Sequence, residues 1–340
     1  MSVDADLASH RTPEGNPDWD VVRRAKLKAL EDHTGRPALI YACDFLNNLK
    51  LKLVGNDVQI NLADKHGFFE ATDKITDKNI DVLLHSPGGL PDAAESIIDM
   101  LRNKFENVRF IIPNVAKSAA TMMAMAGDEI WMDANAELGP IDPQFVIGKG
   151  AGQYVQSPAQ AIVDQFDEAQ VLIGKDPSKL PAWLPVLQQY GPSLYKEALN
   201  AIDLSKRLVE GWLNVYMFKG HSDGPEKAKA IAEFLGDHNQ FKSHGRRIGR
   251  KVLQDKGANI KNLEDDPILH ARVVDVYFAM VHTFNGACFK MFENSRGQGL
   301  FLTIPQPTIQ LPPGLQMIPV PNAPKPQQAP PLVQAPPRQN

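Results

Sequence analysis

Short apolar runs alternate with helical periods along the first half of the chain. RPALIYACDF (36–45), NIDVLLHS (79–86), NVRFIIP (107–113) and DEIWMD (128–133) read as strands, and the middle pair is apolar enough to be buried on both faces of a sheet. Between them, LPDAAESIIDMLRNKF (90–105) sets Ala93, Ile97, Met100, Leu101 and Phe105 three or four residues apart, which predicts an amphipathic helix. This alternation is the pattern of a βαβ-type sheet. The second half changes period. AQAIVDQFDEAQVLI, SLYKEALNAIDLSKRLVEGWLNVYM, GPEKAKAIAEFLGD and DPILHARVVDVYFAMVHTFNGACFKMF all read as helices, divided at Pro181, Pro192, Gly220 and Gly236. The expected layout is a flexible N-terminus over 1–17, an α/β core over 18–150, and a helical region over 151–302 that packs on or extends the core.

The C-terminal segment departs from both patterns. Residues 303–340 hold 12 of the 27 prolines and carry Lys325 and Arg338 as their only charges, a composition of extended, polyproline-like chain. That tail reads as a disordered linker or a docking arm for a partner.

Composition narrows the function classes. With 340 residues and 43% hydrophobic positions, the chain can bury a sizeable core. A formal charge of −4 gives no field that would gather nucleic acid or anionic lipid. Cys43 and Cys288 have neither disulfide nor CxxC metal spacing, which fits a reduced, cytoplasmic setting. No stretch approaches the roughly 18 apolar residues of a membrane span, and the first residues lack a signal pattern. No HExxH or carboxylate–histidine cluster argues for a metal, GKGAGQ (148–153) lacks the GxxxxGK[ST] spacing of a phosphate loop, and no cofactor is expected. The basic residues Lys242, Arg246, Arg247, Arg250 and Lys251 read as a solvated face.

Two short segments carry candidate chemistry. In HSPGG (85–89) a buried strand ends, Pro87 stiffens the exit, and Gly88 and Gly89 allow close backbone approach at the sheet's carboxyl edge, where amides can face a developing oxyanion. In NVAKSAATMMAMAGD (114–128) a strand gives way to a short apolar helix with Ser118 at its start, near the positive end of the dipole and beside the Ala119 amide. By itself Ser118 is a helix cap and PGG a turn. Together they pair a nucleophile with amide donors.

HSPGG followed by AKSAATMMAMAGDEIWMDANAELGPIDPQ resembles the serine peptidases of the Clp-protease and crotonase-like fold, and within them the signal peptide peptidase A group and its soluble relatives, the serine dehydrogenase proteinases. The resemblance covers residues 37–145, and SHGRRIG (243–249) matches more loosely. It implies a ClpP/crotonase-like α/β core of repeated ββα units with a helical C-terminal half, and homo-oligomeric assembly. It also implies peptide-bond hydrolysis through an acyl-enzyme on Ser118, with Gly88, Gly89 and Ala119 as the oxyanion hole and Gly139 in the turn that closes the site.

The general base is not fixed by these motifs. Clp subunits carry a histidine near the position of Asp142 or Pro143, and this chain has none there, so a Ser-His-Asp triad in that arrangement is not expected. Signal peptide peptidases use a lysine well beyond the serine, and residues 155–174 contain no lysine. Lys117, beside the nucleophile, is the preferred base if burial lowers its pKa toward neutrality. Lys149, in the loop GKGAG, is an alternative, as are His244 and His85. A crotonase-like acyl-thioester enzyme and a catalytically inactive scaffold of the same fold remain rival readings.

Overall fold

The structure is a computed structural model that describes residues 10–12, 15–150 and 153–304, with residues 149 and 150 described by backbone only. The expectations for the proline-rich tail therefore lie outside the described residues, apart from its first two positions, as do those for most of the first ten residues.

The strands are β1 (Ala38–Cys43), β2 (Asn79–His85), β3 (Asn107–Ile112), β4 (Val115–Ala116), β5 (Glu129–Met132), β6 (Glu137–Leu138), β7 (Gln144–Gly150), β8 (Gln153–Pro158), β9 (Ile260–Asn262), β10 (Cys288–Asn294) and β11 (Gly299–Thr303). Seven of them form one sheet in the order β11-β10-β1-β2-β3-β5-β9. The run from β1 to β9 is parallel, while β10 and β11 are antiparallel. β1 is buried at every residue and β2 at all but its first, as strands covered on both faces must be.

Helices cover both faces. On one face lie Asp64–Thr72, Pro91–Lys104 and Ala119–Met125, backed by Leu194–Trp212 and Gly224–Leu235, with Phe68, Ile97, Met123, Val209 and Leu235 in one continuous core. On the other face Trp19–Thr34 and Pro267–Phe284 pack through Leu27, Leu30, Val273 and Met280. The mixed α/β class and the strands expected at β1, β2, β3 and β5 are all present. So is the amphipathic helix between β2 and β3, which begins with Pro91 in its first turn.

Two expectations are corrected. The helical period in the sequence runs on through CFKMF, but the helix ends at Phe284; after the Asn285–Ala287 break, Cys288–Asn294 is a wholly buried strand paired with β1. GKGAG, expected as a loop, contributes to the β7–β8 hairpin, whose pairing runs to Gly150 and Gln153.

A helical reading of β10 fails for a physical reason. The strand carries Lys290 and Glu293, residue types common on a solvated helix face, yet both are buried and paired. Lys290 Nζ lies 2.7 Å from Asp64 Oδ1 and donates to the Gln59 carbonyl at 2.8 Å, while the Tyr41 hydroxyl donates to Asp64 Oδ2 at 2.6 Å. The network fixes the segment 59–61, from which Ile60 in turn holds the Gly88–Leu90 turn by Ile60 N–H to Gly88 O (2.8 Å) and Leu90 N–H to Ile60 O (2.9 Å). Breaking a buried pair from one side leaves an uncompensated charge. Lys290→Met is expected to lower unfolding free energy by about 3–5 kcal/mol, and Lys290→Met with Asp64→Leu to recover most of it; urea titrations of the single and double variants measure both.

Candidate active site

Four segments meet at the carboxyl end of the parallel strands through a short backbone ladder. Ser86 bridges Ala116, Ala116 pairs with Leu138, and Leu138 bridges Ile248. Ser86 N–H donates to Val115 O and Lys117 N–H to Ser86 O, while Leu138 and Ile248 exchange both of their hydrogen bonds at 2.9 and 3.0 Å. The ladder joins the segments that carry the glycine turn, the serine, Asp142 and His244, although they lie in distant parts of the sequence.

Ser118 occupies an unusual backbone conformation, φ 53° and ψ −124°, one of two non-glycine residues with positive φ among those described. Such strain costs about 1–3 kcal/mol and persists only where the surroundings enforce it. Here they do. The helix that follows, Ala119–Met125, is buried at every residue, which fixes its start, and Gly88 (φ 93°) packs so closely that an added Cβ would sit 2.6 Å from Ser118 Cβ and 2.5 Å from the Lys117 carbonyl oxygen. The strand-to-helix turn lifts the hydroxyl out of the helix rather than capping it. Among the described residues Ser118 Oγ has no hydrogen-bond partner.

The candidate amide donors differ from one another. Gly88 N–H is already given to Ser86 Oγ at 3.2 Å. The amides of Gly89 and Ala119 donate to nothing among the described residues, which leaves them open beside Ser118. Gly89 is required by space: an added Cβ would lie 2.2 Å from the Ile60 carbonyl oxygen. Both glycines and Ser118 line a cleft of about 520 Å³ that also includes Met122, Ser205 and His244.

Lys117 and the two histidines separate clearly in space. Lys117 Nζ turns away from that cleft, 2.8 Å from Glu137 Oε1, and donates to the carbonyls of Leu138 (3.1 Å) and Arg246 (3.2 Å). Lys149 stands near the end of β7, and its side chain lies outside the described residues. His85 is 4% exposed and faces a different pocket, with Asp44, Asn47 and Tyr277, behind the glycine turn. His244 lines the cleft, and its Nδ1 lies 2.7 Å from Asp142 Oδ1.

Asp142 is a candidate residue that the motifs alone do not single out. It is 2% exposed and is met by His244 on one oxygen and by His238 Nδ1 (2.8 Å) and Gln144 Nε2 (2.8 Å) on the other. Its sequence signal is slight: an aspartate held between two prolines in GPIDP, and a histidine far away in SHGRRIG. A Clp-like arrangement would place the histidine near the position of Asp142, whereas this chain supplies the carboxylate there and the imidazole 102 residues later. A strained serine, two open amides and an imidazole–carboxylate pair on one cleft can carry out acyl transfer.

A carboxylate–histidine cluster that no sequence motif announces lies away from the cleft. It consists of Asp133, Glu264 and His270, where His270 Nε2 is paired with Asp133 at 2.8 Å and Glu264 with Arg250. Part of the basic group at 242–251 is likewise tied into ion pairs: Arg250 to Glu264, Lys251 to Asp255 and Arg247 to Glu137. No described helix is long and apolar enough to cross a membrane.

Comparison with known proteins gives the family. The chain belongs to the ClpP-like SDH-type serine proteinases, a family that matches residues 60–260, more than half of its length. Two relatives from Methanocaldococcus jannaschii are uncharacterized proteins. MJ0137 is 38% identical over 149 residues, 41% of this chain and 49% of its own; MJ1495 is 33% identical over 160 residues, 47% of this chain and 44% of its own. The chain thus spans about half the length of these curated relatives. Similar solved structures include a membrane-bound stomatin-specific protease (16% identity, TM-score 0.36, 63% of this chain and 79% of that one). ClpP1 from Listeria monocytogenes is another (15% identity, TM-score 0.34, 62% and 90%).

His85 supplies a test of the packing behind the glycine turn. Burial pushes its imidazole down to about 4, with the Val115 backbone opposing only in part, and its Nδ1 has no partner among the described residues. Between pH 6.5 and 4 the unfolded chain binds a proton that the folded chain refuses, so the stability this group contributes is complete above 6.5 and is lost as pH falls toward 4. The loss amounts to about 3 kcal/mol. Denaturant unfolding at pH 7 and pH 4 is expected to show a fall smaller by that amount in His85→Leu than in the wild type.

Proposed function

We propose that the protein hydrolyses peptide bonds through an acyl-enzyme on Ser118, with His244 as general base and Asp142 holding its imidazole. The pair at 2.7 Å, on the same cleft as the strained serine, is the observation that carries this reading. Asp142 accepts from Nδ1, which leaves Nε2 as the nitrogen able to take the Ser118 proton. The oxyanion forms against the open amides of Gly89 and Ala119. The protonated imidazole then gives its proton to the leaving amine, and a water activated by the same nitrogen releases the acyl group. Gly88 serves here as the residue that permits close packing on Ser118, its own amide being held by Ser86.

This reading replaces the expected Ser-Lys pairing. A lysine acts as a base only with a free lone pair, and the Lys117 ammonium faces a carboxylate and two carbonyls. A homo-oligomeric, cytoplasmic enzyme fits the same proposal. The Asn48–Val54 helix leaves Leu49 69% and Leu53 60% exposed, an apolar stripe suited to a second copy. Sedimentation of Leu49→Glu/Leu53→Glu against the wild type tests assembly; an unchanged mass for the variant argues against this stripe.

The chemistry is tested with a fluorophosphonate probe. The wild type is expected to label, Ser118→Ala to abolish labelling, and His244→Ala and Asp142→Asn to slow it by about 10²–10⁴-fold. A folded wild type that does not label contradicts the peptidase reading, and undiminished labelling of His244→Ala contradicts the base assignment.

A further inference from the structure

Lys117 is poorly placed to act as a base, yet its side chain is held at both ends of its length. It stands between Ala116, a member of the backbone ladder, and Ser118. The side chain is 14% exposed and runs over Gly139, where an added Cβ would meet Lys117 Cδ at 2.6 Å; the absence of a side chain there opens the path. At the end of that path the ammonium has three donors and meets three acceptors: Glu137 Oε1 at 2.8 Å, the Leu138 carbonyl at 3.1 Å and the Arg246 carbonyl at 3.2 Å.

The acceptors are not scattered. Glu137 and Leu138 belong to the segment that continues to Asp142, and Arg246 lies two residues after His244. We infer that Lys117 is a positioning residue, a half-buried cation that ties the nucleophile turn to the segments bearing the carboxylate and the imidazole and so sets the spacing of all three. This role rests on His244 acting as the base and Asp142 as its orienting carboxylate, as proposed for the reaction.

Geometry and charge both favour it. The bonds are charge-assisted, so they are stronger than neutral bonds between the same segments. Both carbonyls accept from one nitrogen, which makes any slide of the Arg246 segment past Leu138 break a bond to Lys117. Misplacement of a reacting group by about 1 Å costs on the order of 10²-fold in rate. Glu137 is shared with Arg247 Nε at 3.6 Å, a second link between the same two segments.

The test removes the ammonium and then restores it, with p-nitrophenyl acetate as the assayed substrate. Lys117→Met is expected to fold as the wild type does by circular dichroism, to lose about 10²-fold in kcat, and to change KM by less than about threefold. Lys117→Cys treated with 2-bromoethylamine regains an amine at nearly the lysine position. Cys43 and Cys288 are buried, with thiols pushed up to about 12, and are expected to stay unmodified on the folded protein. Alkylation is expected to restore most of kcat with the pH–rate profile of the wild type. Gly139→Ala, which blocks the path of the side chain while keeping the lysine, is expected to lower kcat as Lys117→Met does, and this arm stands even if the methionine variant does not fold.

Three results overturn the inference. Wild-type kcat in Lys117→Met shows that the cation positions nothing. Failure of alkylation to restore kcat shows that the ammonium is not the group that matters. An acid limb that shifts with the more acidic thioether amine shows that Lys117 is itself the base. Each is distinct from failure of the underlying reading, which would appear as a wild type that does not label with the fluorophosphonate or as a His244→Ala variant that labels normally.

Discussion

The site depends on a ladder only four residues wide. Ser86, Ala116, Leu138 and Ile248 pair side by side, and each is two or four residues from a group on the cleft. Backbone register is a discrete quantity, because a one-residue slip turns every side chain to the opposite face. Once this register is set, the glycine turn, the serine, the carboxylate and the imidazole have few ways to be arranged. No long-range field or mobile lid is needed to bring them together.

The helix Ala119–Met125 shows what such an arrangement requires of its surroundings. It is seven residues long, too short to hold itself in water, and exists because every one of its side chains is buried. The same burial holds Ser118 in a conformation an ordinary serine avoids. Stability and the geometry of Ser118 therefore draw on one source: the apolar contacts of Met122, Met123 and Met125 keep the strained turn in place. Methionine suits this role, since its flexible thioether can fill the irregular space behind a tight turn.

The parallel half of the sheet is legible in the sequence because β1, β2, β3 and β5 are apolar runs bounded by turn residues, and buried parallel strands can hardly read otherwise. Ser118 and the glycines are legible for a similar reason: local backbone geometry is written in local residue types. β10 is not, because its Lys290 and Glu293 are buried partners of distant residues, and a charge in a sequence gives no sign of whether it faces water or a counter-ion. The imidazole–carboxylate pair stays hidden on the same ground. Asp142 and His244 are brought together through the Leu138–Ile248 bridge, a contact that depends on how the intervening hairpin and helices pack. Pair chemistry across the fold carries little local signature.

The placement of β10 also orders events in time. Leu39 pairs with Asn294, so the outer side of β1 is covered only by a strand near the end of the described residues. Closing a loop of that length is slow, and it precedes the contacts that reward it. Lys290 on this strand holds the Gln59 carbonyl, and the neighbouring Ile60 holds the glycine turn. The glycine turn beside Ser118 is therefore supported, through Ile60 and Gln59, by a strand that follows it by some two hundred residues. The support of the glycine turn is thus completed by a strand that lies far from it in the sequence.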